Sequence, residues 1–363
     1  MRRRLTSLVV AAICLLALVS AIDAFRNKPE KSETAAAEEA RADLSAAVSR
    51  QPGRRLGPTA QPPLIEEREA LERRLAAAEI TGLLFLTDDS CRLWALALPG
   101  VDWLNGRSPR AASCTFSLTP DGRAAFPGER VAFNARENLA ARCRAGTVDV
   151  FEPGGEDGYE LEGFCSPAWQ PDGTLTLGSE RGILSLSPGC YRTAAAGACA
   201  TLAVSRDELG VAISRLPGSR SLEIQEVAWL SDSRLVAVIE VGYPDGSVDD
   251  VVAVFENGRL IGEPAVNDRF DDLRVSPRGS YFVVRARGFR GLCFFDAEGQ
   301  LLTRNPIPSG HHVTWSPDER WTAIATGGRT TYLFRTAQVR RFDSGTPPLL
   351  LRLPVYAADL AWR

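Results

Sequence analysis

The sequence predicts an all-β protein: a β-propeller of six or seven blades, closed by pairing of its N- and C-terminal strands and preceded by a transmembrane helix and a helical or disordered linker. Three observations predict it. After Ile80 the chain breaks into short apolar runs separated by Gly, Pro, Asp and Ser, the pattern of many strands joined by tight turns. One unit recurs, an apolar strand, a Ser-Pro-Asp type turn and a second apolar strand, and it is most complete at Trp315-Ser-Pro-Asp-Glu-Arg-Trp321. Finally, the two ends of this region complement each other. Gly82–Leu98 reads as a second and third strand lacking a first, and Asp359-Leu-Ala-Trp362 reads as a first strand lacking the rest.

The N-terminus comes first in the chain. Residues 1–4, Met-Arg-Arg-Arg, precede an apolar run from Leu5 to Ile22. Eighteen residues at 1.5 Å rise span roughly 27 Å, about the hydrocarbon thickness of a bilayer. Residues 1–25 therefore read as an uncleaved signal anchor or as a signal peptide, with Val19-Ser20-Ala21 a small-residue cleavage site in the second case. The Arg cluster points to a cytoplasmic N-terminus, although Arg26, Lys28 and Lys31 on the other flank weaken that asymmetry. Either way the remaining chain is expected outside the cytoplasm, single-pass and tethered, or periplasmic or secreted after cleavage.

Residues 26–79 form the expected linker. Its Ala, Glu, Arg, Ser and Pro bury too little apolar area to offset the entropy of ordering. Pro62-Pro63 then open a helix over 64–79, with Leu64, Leu71, Leu75 and Ala78 near one face. Docking of this face on the domain and a short coiled coil are the two readings.

The propeller occupies 80–363, with no helix expected after residue 80. Aligned on Trp315, copies of the turn unit occur at Leu118-Thr-Pro-Asp-Gly122, Trp169-Gln-Pro-Asp-Gly173, Val204-Ser-Arg-Asp-Glu208, Trp229-Leu-Ser-Asp-Ser233 and Val275-Ser-Pro-Arg-Gly279. Most steps lie near the ~40–50 residues of a four-stranded blade, but the step from Val204 to Trp229 is too short. The Val204 copy therefore reads as a truncated blade or a decoration, with Val211–Ile213 as its second strand. Outer hairpins are expected at Val251–Ile261, through Asn257-Gly258, and at Leu292–Leu302, through Glu298-Gly299. A closed ring removes exposed sheet edges.

These motifs, W-S-P-D-x-x-W-x-A-I-A, W-Q-P-D-G and V-S-P-R-G-S-Y, resemble those of the TolB-like, WD40-like propellers of bacterial envelope proteins. The resemblance covers about residues 80–363 and implies architecture and a cell-envelope setting, not an activity. The chain departs from true WD40 repeats, because no Gly-His and Trp-Asp pair marks each blade.

Composition narrows the chemistry. A net charge of −3 argues against a general nucleic-acid binder. Seven cysteines lie beyond the apolar run, and export permits many pairings among them: Cys190 with Cys199 is the first candidate, Cys91 with Cys114 and Cys143 with Cys165 come next, and Cys293 reads as the odd thiol. No C-x-x-C pair exists, and no G-x-S-x-G elbow, so no catalytic residue is assigned. Asp245, Asp249 and Asp250 are the candidate metal ligands, for Ca2+, because calcium gathers several oxygens at one site. Arg285, Arg287, Phe289, Arg290, His311 and His312 are the candidate interaction residues. The adjacent histidines alternate faces on a strand, so they suit one metal poorly, and Asp271-Asp272 are placed to edge the channel mouth.

The resulting expectation is a membrane-tethered extracytoplasmic propeller acting as a protein-interaction or scaffold module in the cell envelope. Its expected contacts are a protein partner and, through residues 5–22, the membrane, with no nucleic acid and an open oligomeric state. The alternative is a small-ligand or glycan-binding sensor using the central channel. A third reading is an enzyme with a channel site of Asp, Arg and His311 or His312.

Overall fold

The recurring unit folds as its residue types require. In its fullest copy, Ser316 Oγ accepts from Trp321 N–H (3.0 Å) and donates to Asp318 Oδ1 (2.6 Å). Asp318 Oδ1 also accepts from Arg320 N–H, two residues on (3.1 Å). The Ser and Asp side chains thus satisfy turn amides that no ladder reaches, and the flanking apolar residues run on as strands. Ser276 repeats the arrangement with Tyr281 N–H (3.0 Å). Gly279 in that turn has φ +70°, and a Cβ there would lie 1.7 Å from the carbonyl oxygen of Leu230, so this approach needs glycine.

The computed structural model of the chain describes residues 65, 67–87, 93–107, 131–134, 139–144, 146–152, 158–170, 172–192, 199–219, 221–267, 269–286, 291–326, 330–343, 350–355, 357 and 359–363. Among them every sheet is four-stranded and antiparallel. Sheet I contains β1 (Gly82–Thr87), β2 (Leu93–Leu98) and β3 (Asp102–Arg107). Sheet II contains β4 (Val131–Asn134), β5 (Leu139–Arg144), β6 (Thr147–Phe151) and β7 (Gly158–Glu162). Sheet III contains β8 (Cys165–Trp169), β9 (Leu175–Ser179), β10 (Gly182–Leu186) and β11 (Thr201–Ser205). Sheet IV contains β12 (Ser221–Trp229), β13 (Arg234–Gly242), β14 (Val248–Glu256) and β15 (Arg259–Asn267). Sheet V contains β16 (Phe270–Val275), β17 (Tyr281–Ala286), β18 (Gly291–Asp296) and β19 (Leu301–Arg304). Sheet VI contains β20 (Gly310–Trp315), β21 (Trp321–Thr326), β22 (Thr331–Arg335) and β23 (Leu351–Leu353). The last strand, β24 (Asp359–Trp362), pairs with β1, setting Trp362 opposite Leu84, and stands as the first strand of sheet I.

Among the described residues six four-stranded sheets, five of them meanders in chain order and one headed by β24, have the topology of a β-propeller. Among the described residues five pairs of neighbouring sheets share apolar cores. Leu175, Leu177 and Leu184 pack with Val148 and Val150 between II and III, and Ile183 and Val204 pack with Leu235, Ile239 and Phe255 between III and IV. Phe282 and Phe295 pack with Val236 and Val254 between IV and V, and Phe294 packs with Trp315 and Phe334 between V and VI. Trp321 and Leu353 join Leu84, Leu96 and Trp362 between VI and I. Each fully buried Val, Leu, Ile or Phe contributes about 1.5–3 kcal/mol.

Four of these five cores also take in a helical segment. The helix α1 (Arg68–Ala77) buries Leu71 and Leu75 against the VI–I core. The short helix α2 (Pro188–Tyr191) adds Cys190 and Tyr191 to the II–III core. The helix α3 (Arg206–Ile213) adds Leu209 and Ala212 to the III–IV core. A 3-10 helix, Thr336–Phe342, adds Val339 to the V–VI core.

These helices correct the expectation of none after residue 80. Val204-Ser-Arg-Asp-Glu208 is no turn unit: Ser205 ends β11 and caps α3 by accepting Glu208 N–H (3.1 Å). A Ser with Glu three residues on is a capping signal, and it won over the strand reading of Val211–Ile213. With that copy removed, the short step disappears. The expected 64–79 helix is observed over Arg68–Ala77, docked on the sheets. The hairpin at Asn257-Gly258 forms with φ values of 51° and 77°, the positive pair a two-residue turn needs. Disulfides join Cys143 to Cys165 and Cys190 to Cys199, and Cys293 is a buried free thiol. Leu118–Gly122, Cys91 with Cys114, and residues 5–22 lie outside the described residues. Among the described residues no helix is long and apolar enough to cross a membrane.

Candidate functional site at the first strands

The first strands of the sheets lie against one another, and four of them are bulged. The register shifts between Cys165 and Ala168, Ile224 and Glu226, Asp271 and Arg274, and Gly310 and His312. A bulge frees residues from the ladder and re-aims their side chains. Ser166 and Asp272 take φ of 53° and 54°, which L residues adopt only when their surroundings hold them there. Ser166, Glu226, Asp272 and His312 each stand three residues before the strand's last position, Trp169, Trp229, Val275 or Trp315. One polar residue in or beside each bulge therefore falls at the same place from sheet to sheet.

Each bulge bonds into a neighbouring sheet. Ser166 Oγ lies 2.8 Å from the carbonyl oxygen of Ile224 and 2.7 Å from that of Gln225, which share its one proton, from III to IV. Leu273 N–H donates to Glu226 Oε2 (2.6 Å), joining V to IV. Arg274 reaches from V to VI, with Nη2 3.2 Å from His312 Nδ1 and Nη1 donating to Val313 O (3.4 Å). The same Nη1 donates to Leu360 O on β24 (3.3 Å), joining V to I. His311 Nε2 lies 3.2 Å from Ala357 O, in the segment entering β24. Further out, the indole of Trp169 donates to Ala132 O (3.1 Å) and that of Trp229 to Thr176 Oγ1 (2.9 Å), again between sheets.

Charges within this belt are matched. Arg285 grips Asp271 with two bonds, 2.7 and 3.1 Å, and that contact raises the guanidinium's pKa against the opposing effect of burial. Asp272 lies 3.0 Å from Arg274 Nε and 3.4 Å from His312 Nδ1. Burial is the largest single influence on Asp272 and pushes its carboxyl up, but Arg274 and His312 together outweigh it and hold it well below the usual carboxylate range. His311 is held below the ordinary imidazole value, first by burial and then by the neighbouring His312, whose ring centroid is 4.8 Å away. Arg269 pairs with Glu240 beside them.

The structure brings together His311, His312, Arg285 and Asp271-Asp272. It adds Ser166, Glu226 and Arg274, which sequence reading did not single out. Ser166 and Glu226 share one signal, a polar residue three positions before the end of the first strand; Arg274 has none. Arg287, Phe289 and Arg290 lie outside the described residues.

The three candidate calcium ligands are engaged separately. Asp245 accepts from Ser247 N–H and Oγ within its turn, Asp249 accepts from Tyr243 Oη (2.8 Å), and buried Asp250 accepts from Phe270 N–H (2.6 Å). Among the described residues no group of three or more His, Cys, Asp or Glu is arranged to hold a metal ion. A groove of about 290 Å³ lies apart from the belt, lined by Tyr281, Asp296, Leu302, Val339 and Arg340 among others.

No family model matches the chain, and no curated protein matches it. Among solved structures it is similar to a eukaryotic initiation factor, at 13% identity over 77% of this chain and 87% of that one, with a TM-score of 0.39. It is also similar to the β-propeller domain of Myceliophteria thermophila Cps50 (Swd1), at 9% identity over 70% of this chain and 80% of that one, with a TM-score of 0.38. Likenesses at this level carry no argument about activity; the architecture rests on the strand topology.

Proposed function

We propose that the chain is a membrane-tethered, extracytoplasmic β-propeller of six blades, closed by β24, that acts as a protein-interaction or scaffold module in the cell envelope. The observation that carries this reading is the use to which the first-strand polar groups are put. Arg274, Ser166 and Glu226 spend their hydrogen bonds on the backbone of neighbouring sheets, and Asp271 and Asp272 are neutralised by Arg285 and Arg274. A catalytic acid or base needs a proton to exchange with substrate, whereas groups held this way tie strands together. Specificity then falls to the loops at either rim, which a rigid ring displays. The resemblance to TolB-like propellers and the apolar run at residues 5–22 support the envelope setting.

The second reading, a small-ligand or glycan sensor, draws on the gathering of Asp271, Asp272, Arg274, Arg285, His311 and His312 in one place. Affinity capture from membranes with the tagged full-length chain separates the two. The module reading predicts stoichiometric recovery of a defined protein, lost on charge reversal at an exposed rim residue such as Asp245→Lys or Arg278→Glu. Recovery of no protein, or of proteins indifferent to every rim substitution, contradicts it.

A further inference from the structure

Sheet I is assembled from both ends of the described chain, because β24 pairs with β1. That ladder is short, four residue pairs, against nine between β13 and β14 of sheet IV. The helix α1 stands across the same seam. It runs directly into β1 through Ile80, which is fully buried, and Thr81, whose carbonyl accepts the indole N–H of Trp362 on β24 (3.1 Å). On its other side α1 lies against β23, the outer strand of sheet VI, with Leu71 and Leu75 in one core with Trp321, Leu351 and Leu353. Ion pairs mark both ends. Glu79 pairs with Arg320 in the β20–β21 turn of sheet VI (2.8 Å), while Arg68 donates to Gly100 O (3.1 Å) and pairs with Asp102 in sheet I. The helix therefore holds sheet VI by contacts that do not pass through β24.

The grip is light for its reach. Leu71 and Leu75, four residues apart, form one buried apolar face, while Glu69, Glu72, Arg73 and Arg74 are exposed. A ten-residue helix is marginal by itself, and Glu67 at its start makes no side-chain cap, so docking is what keeps it folded. Both ion pairs are exposed, and such pairs hold weakly. Local opening begins at elements with few buried contacts. We propose that α1 is a releasable clasp on this seam: docked, it holds β1 to sheet VI from outside, and its departure frees β24 from β1 before any other sheet opens. Departure takes Leu71 and Leu75 out of the core that backs Leu84, Leu86 and Trp362 of the ladder. The four-pair ladder is then left to hold the two chain ends together. Because α1 precedes β1, a pull on the chain from that side meets the clasp before it meets any strand. The clasp is independent of what the rims bind.

Amide hydrogen exchange of the full-length chain tests it, read on peptides covering β1 (82–87), β24 (359–363) and, as the reference, β13 (234–242). With Leu71→Ser and Leu75→Ser combined, β1 and β24 are expected to lose protection about tenfold or more, while β13 stays within about twofold of the wild type. Unchanged protection at β1 and β24 overturns the clasp, and so does an equal loss in all three peptides. If that variant does not fold, the wild type decides, through exchange followed in rising subdenaturing guanidinium. The clasp predicts that α1 loses protection before β1 and β24 or together with them, and that β13 holds to higher denaturant. A seam that opens while α1 stays protected overturns it. So does one common opening of every peptide, or a seam that holds as long as β13 after α1 has opened.

Discussion

Sheets IV and V meet twice, by opposite means. Away from their first strands Phe282 stacks on Phe295 at 4.8 Å, with Val236, Val254 and Val284 around them and no polar atom taking part. At the first strands Glu226 accepts a backbone N–H from the bulge of β16, and Arg274 leaves that bulge for two other sheets. Dispersion and burial are non-directional, so the apolar slab accepts many residues of similar volume. Hydrogen bonds to a buried charge are directional and costly to leave unmade, so the belt accepts few. The slabs supply most of the stability, and the belt sets how neighbouring sheets are registered.

The largest expected effect lies in a slab. Phe282→Ala should cost about 3–5 kcal/mol, the range for emptying a buried aromatic site, read as a lowered denaturant midpoint with an unchanged slope. Arg274→Leu sharpens the comparison. It strands Asp272 beside an apolar chain and should cost about 3 kcal/mol; a loss under ~0.5 kcal/mol would make the belt no different from ordinary exposed polar residues. Ser166→Ala should cost about 1 kcal/mol, because the one hydroxyl proton shared by two carbonyls is lost while no charge is exposed.

The smallest effects at neutral pH become visible on acidification. His311 is held below the ordinary imidazole value of ~6.5, so the unfolded chain takes up a proton first and stability should fall as pH drops below about 6.5. Asp272 is held below the ordinary carboxylate value of ~3.9. Its contribution is present above about pH 4 and is lost as the pH falls from there toward its folded value. His311→Gln should flatten the first arm and Asp272→Asn the second, in denaturant midpoints measured against pH.

The same contrast explains what was legible in the sequence. The slabs announce themselves through period-two apolar runs, and the turn unit through Ser, Pro and Asp whose side chains bond their own backbone. Trp315-Ser-Pro-Asp, Trp169 and Trp362 could be placed on first strands before any coordinates. The Val204 copy failed because Ser205 and Glu208 satisfy each other's helix start as readily as a turn. The belt was legible only in part. His311-His312 and Asp271-Asp272 stood out as pairs, but Ser166, Glu226 and Arg274 look like ordinary strand residues. Their role depends on bulges, and a bulge is a slip of register that no local periodicity displays. Arg274 meets Leu360 across 86 positions of chain, a contact that only the assembled sheets create.

A double-mutant cycle between Asp272 and Arg274 tests most directly whether the belt is a structural tie. Asp272→Ala, Arg274→Ala and the double substitution would be compared by equilibrium unfolding near neutral pH. The account predicts that the double substitution costs less than the sum of the singles, with a coupling of about 1–3 kcal/mol. Strictly additive losses would contradict it, because two groups that hold the sheets as one unit cannot fail independently.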